Sequence, residues 1–170
     1  MQRTSAGELL RAQAQAGTGV GRDIAAYQQR GDLAPDAIVF AVLTPVVVAV
    51  GARGGYILDG FPRTLRQASA AAELGVRLGL TLDAVVYLYA PQDLLVQRLL
   101  GRAGQGGRSD DTAAVIRHRL EVFTTTTSPL ISYYRDRGIL LAVDADQPPG
   151  AVTTEILTRL SDRSLTRERT

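Results

Sequence analysis

Three short apolar runs, separated by segments with helical patterns, constrain the fold of this chain more than any other feature. The runs are residues 54–59, 82–90 and 139–143, and each is followed by a turn and a helix-forming segment. The near-continuous apolar run at 82–90 is typical of a parallel strand that is covered on both faces. Strands that alternate with helices predict an α/β fold, a three-layer arrangement with a parallel sheet flanked by helices.

Helical patterns fill the rest of the chain, and its 170 residues are expected to form a single domain. Residues 7–30 predict two helices, with a turn at 18–21 between them. A third helix opens at 34–36; because Pro45 interrupts its pattern, residues 46–50 fit either its end or a strand. The other predicted helices are residues 65–78, 91–102, about 109–137 (capped by Ser109, Asp110 and Asp111, and ended by Gly138), and 148 onward.

Composition excludes several classes of protein. The chain has no cysteine and one histidine, so we expect neither disulfides nor a zinc or multi-histidine metal site. No apolar run approaches the roughly 20 residues of a membrane span, and the first residues lack the apolar core of a signal peptide. A formal net charge of +2, without a basic run, does not favour nucleic-acid binding. We therefore expect a cytoplasmic protein that contacts neither membranes nor nucleic acid.

The stretch YILDGFPRTLRQ, residues 56–67, carries the most distinctive chemistry. Asp59 ends an apolar strand, Gly60 lets a ligand or another backbone approach closely, and Arg63 begins the next helix. Ligands of open α/β sheets bind at the carboxyl ends of strands, where Asp144 is also predicted. A carboxylate there can hold Mg²⁺ through waters, as in phosphoryl-transfer sites. Taken alone, Asp59 also fits a simple cap at the strand end.

Arginines recur where the predicted strands and helices meet a cleft, and all 19 basic residues are arginine. Converging guanidinium groups repel one another unless an anion is present, and a polyphosphate is such an anion. Arg98 and Arg102 share one helix face, whereas Arg117 and Arg119 face different ways. Each arginine taken alone also fits a solvated surface charge. The candidates are Arg11, Arg63, Arg98, Arg102, Arg108, Arg117 and Arg119.

Residues 56–67 resemble the signature of the adenylate kinases, in which a strand runs into Asp-Gly-Phe-Pro-Arg and a glutamine follows. Further segments resemble the same family in the same order, so the resemblance covers nearly the whole chain. It implies the P-loop fold of nucleoside monophosphate kinases. These segments are TSAGELLRA, GDLAPDAIV, VQRLLGR, GRSDDTAAVIRHRL, SPLISYY and ILLAVDA.

The resemblance implies an acceptor site for a nucleoside monophosphate. Arg11, Arg63 and Arg119 would hold its phosphate and the transferring group, and Gly60 would let the nucleotide approach the backbone. Gln67 would read the acceptor base, as in adenylate kinases; UMP/CMP kinases tend to carry asparagine there.

The resemblance also implies a donor site that takes ATP with Mg²⁺. Asp59 would orient water around the Mg²⁺, and Arg98 would lie against the donor adenine. Arg102 and Arg108 would clamp phosphates as a short lid at residues 103–109 closes. No zinc is implied in this lid, because the chain has no cysteine.

The chain departs from the family pattern at two places. Residues 7–45 are the helical subregion expected to bind the monophosphate. Just before it, Ala6 stands where the family has a threonine that helps hold the adenine of AMP. Because that hydroxyl is missing, the base selectivity of the chain is left open. The second departure is that no loop of type G-x-x-G-x-G-K is present, and the chain contains no lysine. Such a loop cradles phosphates with its N–H groups and its lysine. We interpret GTGVG, residues 17–21, as a turn between helices.

The missing loop also carries a structural expectation. The chain begins at about the family's second strand, of which residues 3–5 remain. The family's first strand would lie between 56–59 and 85–89, so two apolar strand edges are expected to be unpaired unless the remaining strands close up. We expect the sequence to be incomplete at its start; the alternative is a descendant that has lost the loop.

The predicted function is that of an adenylate kinase-like enzyme, ATP + AMP ⇌ 2 ADP with Mg²⁺, acting as a monomer. Very low activity is expected of this chain, because the donor-phosphate loop and its lysine are absent. One alternative is a non-catalytic AMP-binding module, because the acceptor residues are present. The other is a UMP/CMP-type kinase, which Ala6 keeps open and Gln67 disfavours.

Overall fold

A computed structural model describes residues 2–51, 55–104 and 112–167 of the chain, which form short strands and helices in alternation. Each predicted strand is present, and another precedes the first helix. No helix in these parts of the chain is long and apolar enough to span a membrane. The elements are β1 (Gln2–Ser5), α1 (Ala6–Gln15), α2 (Gly19–Arg30), α3 (Asp36–Gly51), β2 (Tyr56–Asp59), α4 (Leu65–Leu78), β3 (Val85–Tyr89), α5 (Gln92–Gly104), α6 (Ala113–Val122), a π-helical turn (Phe123–Thr127), α7 (Pro129–Asp136), β4 (Leu140–Asp144) and α8 (Pro149–Arg167).

The strands form two separate parallel pairs. β1 pairs with β2 and ends with Ser5 opposite Asp59, and β3 pairs with β4 and ends with Tyr89 opposite Asp144. The parallel direction is as predicted, and both aspartates lie at the carboxyl ends of their strands. Among the described residues β2 and β3 are not hydrogen-bonded to each other, so each keeps one unpaired edge. One continuous sheet is therefore not formed by these residues, and the expectation of two unpaired edges is met.

The prediction that the run at 82–90 is covered on both faces is wrong. Val85 packs against buried side chains of α4 and α7, whereas Val86 and Leu88 are exposed. Successive side chains of a strand point to opposite faces, and helices cover only one of them here. The apolar run therefore has one partly buried face and one exposed face.

Helix α3 continues through Pro45, so residues 46–50 belong to the helix and not to a strand. A proline inside a helix removes a backbone hydrogen bond and costs about 3 kcal/mol. Val39, Leu43 and Val50 of the same helix are buried, and each buried side chain of this size contributes about 1.5–3 kcal/mol. This packing outweighs the penalty at the proline.

The long helix predicted at 109–137 is divided into α6, the π-helical turn and α7. The predicted caps at 109–111 lie outside the described residues, and Thr112 caps α6 instead. In the turn, the Oγ1 atoms of Thr124 and Thr125 donate to carbonyl oxygens four residues back, both at 2.9 Å. Such side-chain bonds compete with the helical ladder, so the run of threonines accounts for the interruption. Gly138 follows α7, as predicted.

The glycine-rich stretch at 17–21 is a junction between helices, as predicted, although α2 already begins at Gly19. Thr18 caps α2 by accepting a hydrogen bond from the N–H of Gly21 at 3.0 Å. A Cβ atom at Gly21 would lie 2.4 Å from the carbonyl oxygen of Gln13 in α1. Gly21 therefore allows α1 and α2 to pack closely.

The turn after α2 is fastened to α6. Asp32 accepts a hydrogen bond from Arg30 at 2.8 Å with one oxygen, and its other oxygen lies 2.7 Å from Nε2 of His118. Gly31 ends α2 with φ +79°, and a Cβ atom there would lie 3.1 Å from Cγ of Arg119. The bonds from Arg30 and His118 lower the pKa of Asp32. The turn therefore sits directly on the stem of Arg119.

Replacing Gly21 with alanine should destabilise the fold, because the new methyl group would overlap the carbonyl oxygen of Gln13. We expect the free energy of unfolding, measured in urea, to fall by about 1–3 kcal/mol. Gly19→Ala is the matched control, since a Cβ atom there meets nothing within 4 Å, and it should be neutral or stabilising by about 0.5–1 kcal/mol. Equal effects of the two substitutions would contradict the packing role.

Replacing Asp32 with asparagine should change the response to acid. Because its pKa is lowered in the folded chain, the carboxylate stabilises the fold above the pKa of an unfolded aspartate, about 3.9, and this stabilisation is lost as the pH falls through the lower folded value. Asp32→Asn should therefore flatten the fall in unfolding temperature below about pH 4. At pH 7 it should cost less than about 1 kcal/mol, since the pair is partly exposed.

The matched control for this pH experiment is Asp23→Asn. Asp23 is an exposed carboxylate in α2, with no hydrogen bond or ion pair to any described residue. Thermal unfolding between pH 2 and 7 makes the comparison. An acid response of Asp32→Asn that matches that of the unsubstituted chain would refute the role of Asp32.

Candidate active site

Arg63 is held at three points in the loop between β2 and α4. Its N–H donates to Oε1 of Gln67 at 2.8 Å, and its carbonyl oxygen accepts a hydrogen bond from Oγ1 of Thr127 at 2.9 Å. Its Nε donates to the carbonyl oxygen of Gly60 at 3.0 Å. Backbone and side chain are both fixed, so the direction of the guanidinium group is set before any ligand binds.

Gly60 is required where β2 meets this loop. Its φ is +75°, and a Cβ atom there would lie 3.1 Å from Nη2 of Arg63. Side chains other than glycine rarely adopt such a φ. The backbone at the end of β2 therefore lies directly against the guanidinium group of Arg63. The predicted approach of a ligand to Gly60 stays a prediction.

The charges around Arg63 favour an anion. Surrounding protein atoms lower the pKa of Arg63, Asp59 opposes this effect, and nearby Arg119 lowers the pKa further. Arginine remains charged at neutral pH, so Arg63 and Arg119 present two positive groups to one region. Two such groups bind phosphate oxygens more strongly than either alone. The structure thus brings together Asp59, Gly60, Arg63 and Arg119, four of the predicted residues.

Asp59 has a cationic partner that sequence reasoning missed. Nη2 of Arg3 in β1 donates to Oδ2 of Asp59 at 2.8 Å, and it also lies 3.6 Å from Glu8. In the register of β1 and β2, Arg3 stands opposite Ile57, diagonal to Asp59 and on the same face of the pair. Only this register could have indicated the contact between Arg3 and Asp59, and it is known only once two strands distant in sequence are paired.

Gln67 lies at the start of α4, with its side chain buried and only 2% of the residue exposed. Besides accepting from Arg63, it donates through Nε2 to Oδ1 of Asp36 at 2.8 Å. Asp36 begins α3, and its other oxygen accepts a hydrogen bond from Nε of Arg66 at 2.6 Å. Sequence reasoning used Asp36 only as a helix start and missed this contact.

The other predicted arginines are placed less closely together. Arg11 is half-buried in α1 and makes no hydrogen bond or ion pair with the described residues. Arg117 is exposed, unlike Arg119 two residues later. Arg98 donates to the carbonyl oxygen of Ala145 after β4 at 2.8 Å, so it fixes the loop at the carboxyl end of that strand.

Most of the predicted lid lies outside the described residues. Ala103 and Gly104, its first two residues, belong to the end of α5. Arg108 and the side chain of Arg102 lie outside the described part of the chain. Their predicted contacts with phosphates stay predictions.

Among the described residues, carboxylates could bind Mg²⁺ only if nucleotide phosphates and waters supplied the other ligands. No group of three or more histidine, aspartate or glutamate side chains in the described parts of the chain could hold a metal. Asp59 is a single carboxylate at a strand end. Mg²⁺ commonly takes one or two carboxylates, with phosphates and waters completing its shell. A lone Asp59 fits that arrangement and does not fit a metal site made of protein alone.

Comparisons with known proteins show the family of this chain. The model of the adenylate kinase family matches residues 1–139. The adenylate kinase of Thermobifida fusca (strain YX) is 41% identical over 162 residues, 95% of this chain and 86% of the relative. That of Parasynechococcus marenigrum (strain WH8102) is 44% identical over 161 residues, 95% and 85% of the two chains. That of Leptospira biflexa serovar Patoc (strain Patoc 1 / Ames) is 42% identical over 153 residues, 90% and 82%. The chain belongs to the adenylate kinase family, and is a nucleoside monophosphate kinase.

Proposed function

We propose that this chain binds AMP beside Arg63 and takes part in the reaction ATP + AMP ⇌ 2 ADP. The observation that carries the proposal is the position of Arg63 next to a second arginine: Gln67 and Thr127 hold its backbone, and Gly60 holds its guanidinium group. A phosphate needs such paired, oriented donors. Asp59, at the same strand end, supplies the carboxylate that a phosphoryl-transfer site needs.

Catalysis in this proposal rests on position and charge, without a covalent intermediate. Arg63 and Arg119, together with Arg11 of α1, hold the acceptor phosphate and the transferring group. Gly60 leaves room for the acceptor nucleotide against the backbone. The helices within residues 7–45 form the surrounding monophosphate-binding subregion.

The donor side takes ATP with Mg²⁺, which neutralises charge on the phosphates when bound. Asp59 would hold Mg²⁺ through a bound water, and Arg98 would lie against the donor base. Arg102 and Arg108 clamp phosphates as the short lid, residues 103–109, closes. The parallel strands and flanking helices belong, in this proposal, to a three-layer nucleoside monophosphate kinase fold.

Gln67 reads the acceptor base, and its side-chain amide favours adenine. Glutamine can pair with adenine through one donor and one acceptor. Ala6 lacks the hydroxyl that the family uses nearby, so the amide carries a larger share of base recognition.

Replacing Arg63 with glutamine should weaken AMP binding by about 10- to 100-fold, because one or two charge-assisted hydrogen bonds are lost. Titration calorimetry with AMP measures the change. The matched control is Arg77→Gln, which removes the same charge from an exposed position in the last turn of α4 and should leave the affinity within about twofold. Equal losses would show that overall charge, and not the Arg63 site, binds the nucleotide.

ADP formation from ATP and AMP by the 170-residue chain should be very slow, because the sequence supplies no lysine and no G-x-x-G-x-G-K loop for the donor phosphates. A coupled assay with Mg²⁺ measures turnover, and separate calorimetric titrations measure AMP and ATP binding. We expect AMP to bind more tightly than ATP. Fast turnover would refute the expected weakness of the donor side. AMP binding without any turnover would favour a non-catalytic AMP-binding module.

A further inference from the structure

The side-chain amide of Gln67 is held by two partners of opposite character. Its Oε1 accepts from the backbone N–H of Arg63, and its Nε2 donates to Oδ1 of Asp36, both at 2.8 Å. Its own backbone N–H is held by the cap residue Thr64 at 3.1 Å. Only 2% of the residue is exposed, so water does not compete for these contacts.

These two partners are not interchangeable. A backbone N–H can only donate, and a carboxylate can only accept. If the amide turned over, its NH₂ group would face the N–H of Arg63 and its oxygen would face Asp36. A donor would then face a donor and an acceptor would face an acceptor, and both hydrogen bonds would be lost. Gln67 is buried, and an unsatisfied polar group there costs about 1–3 kcal/mol. The chemistry of the partners therefore fixes which end of the amide points which way.

We propose that Asp36 is a positioning residue that determines base specificity by fixing the orientation of the Gln67 amide. The inference rests on the proposed function, in which Gln67 reads the acceptor base. Asp36 suits this role because it joins two helices: it begins α3, and its oxygens accept from Gln67 and Arg66 of α4. Its link to Arg66, at 2.6 Å, holds the carboxylate in place from the side away from the amide.

The fixed amide discriminates between amino and keto bases. After its two contacts with the protein, one Nε2 hydrogen and one lone pair of Oε1 are left. Adenine offers an amino donor at N6 beside an acceptor at N1, whereas hypoxanthine offers an acceptor at O6 beside a donor at N1. The two patterns are the reverse of each other, so one orientation of the amide fits adenine and the turned-over amide fits hypoxanthine. Since Gln67 is buried, groups that cover it must move when the base binds.

The test compares AMP with IMP, which differ only at these positions of the base. Calorimetry on the unsubstituted chain should show tighter binding of AMP. In Asp36→Asn the new side-chain amide can present either an oxygen or an NH₂ group to Gln67, so only the N–H of Arg63 still enforces the orientation. The ratio of AMP to IMP affinity should therefore fall, by up to about tenfold, the value of one hydrogen bond.

Arg66→Gln is the matched control. It removes the other partner of Asp36 but leaves the bond from Asp36 to Gln67, so the affinity ratio should stay within about twofold of the unsubstituted chain, less than one hydrogen bond is worth. A ratio that is unchanged in Asp36→Asn, or a chain that binds AMP and IMP equally well, would overturn the inference. A ratio that falls equally in both variants would overturn it too, because the ion pair and not the amide orientation would then be responsible.

NMR on the unsubstituted chain tests the same inference without requiring Asp36→Asn to fold. The Nε2 protons of Gln67 should give two well-separated NMR signals, and saturation with AMP should shift them more than saturation with IMP. Signals that neither nucleotide shifts would overturn the role of Gln67 and Asp36 while AMP binding itself persists. Failure of AMP to bind at all would instead overturn the proposed function, and this inference with it.

Discussion

The arrangement of the site depends on the three hydrogen bonds that hold Arg63. They come from three different parts of the chain: Gly60 at the end of β2, Gln67 in α4, and Thr127 at the end of the π-helical turn. The bond from the N–H of Arg63 to Gln67 is partly buried, where an unpaired polar group is costly. Together they join a strand end, a helix start and a distant helical turn at one residue, Arg63. The site is therefore a product of packing between elements and not of one loop alone.

The helices hold the two strand pairs in place where strand pairing does not. Ala68 of α4 and Leu130 and Tyr134 of α7 form one buried cluster, and Val85 of β3 packs on it. Helix α4 directly follows β2 in the chain, so this cluster connects the β1–β2 pair with the β3–β4 pair. Apolar side chains on a strand face that no helix covers, such as Ile57 and Leu88, remain exposed.

Features set by local chemistry were predicted well. The strands β2, β3 and β4 were found from apolar runs, and the end of α2 follows from Gly31, which adopts the left-handed backbone that ends helices. Features that depend on competition between local preference and packing were not predicted well. Pro45 predicted a break, yet burial along α3 carries the helix through it. The threonines at 124–127 gave no sign in advance of the π-helical turn.

The sequence by itself determined the family and grouped Asp59, Gly60 and Arg63 of the candidate site, because the Asp-Gly-Phe-Pro-Arg stretch places them within five residues of one strand end. Only the tertiary structure decided their partners. Arg3 reaches Asp59 through the register of two parallel strands, and Asp36 reaches Gln67 because α3 packs beside the start of α4. These contacts join residues 56 and 31 positions apart, and no local pattern records them, since they depend on how separate elements pack.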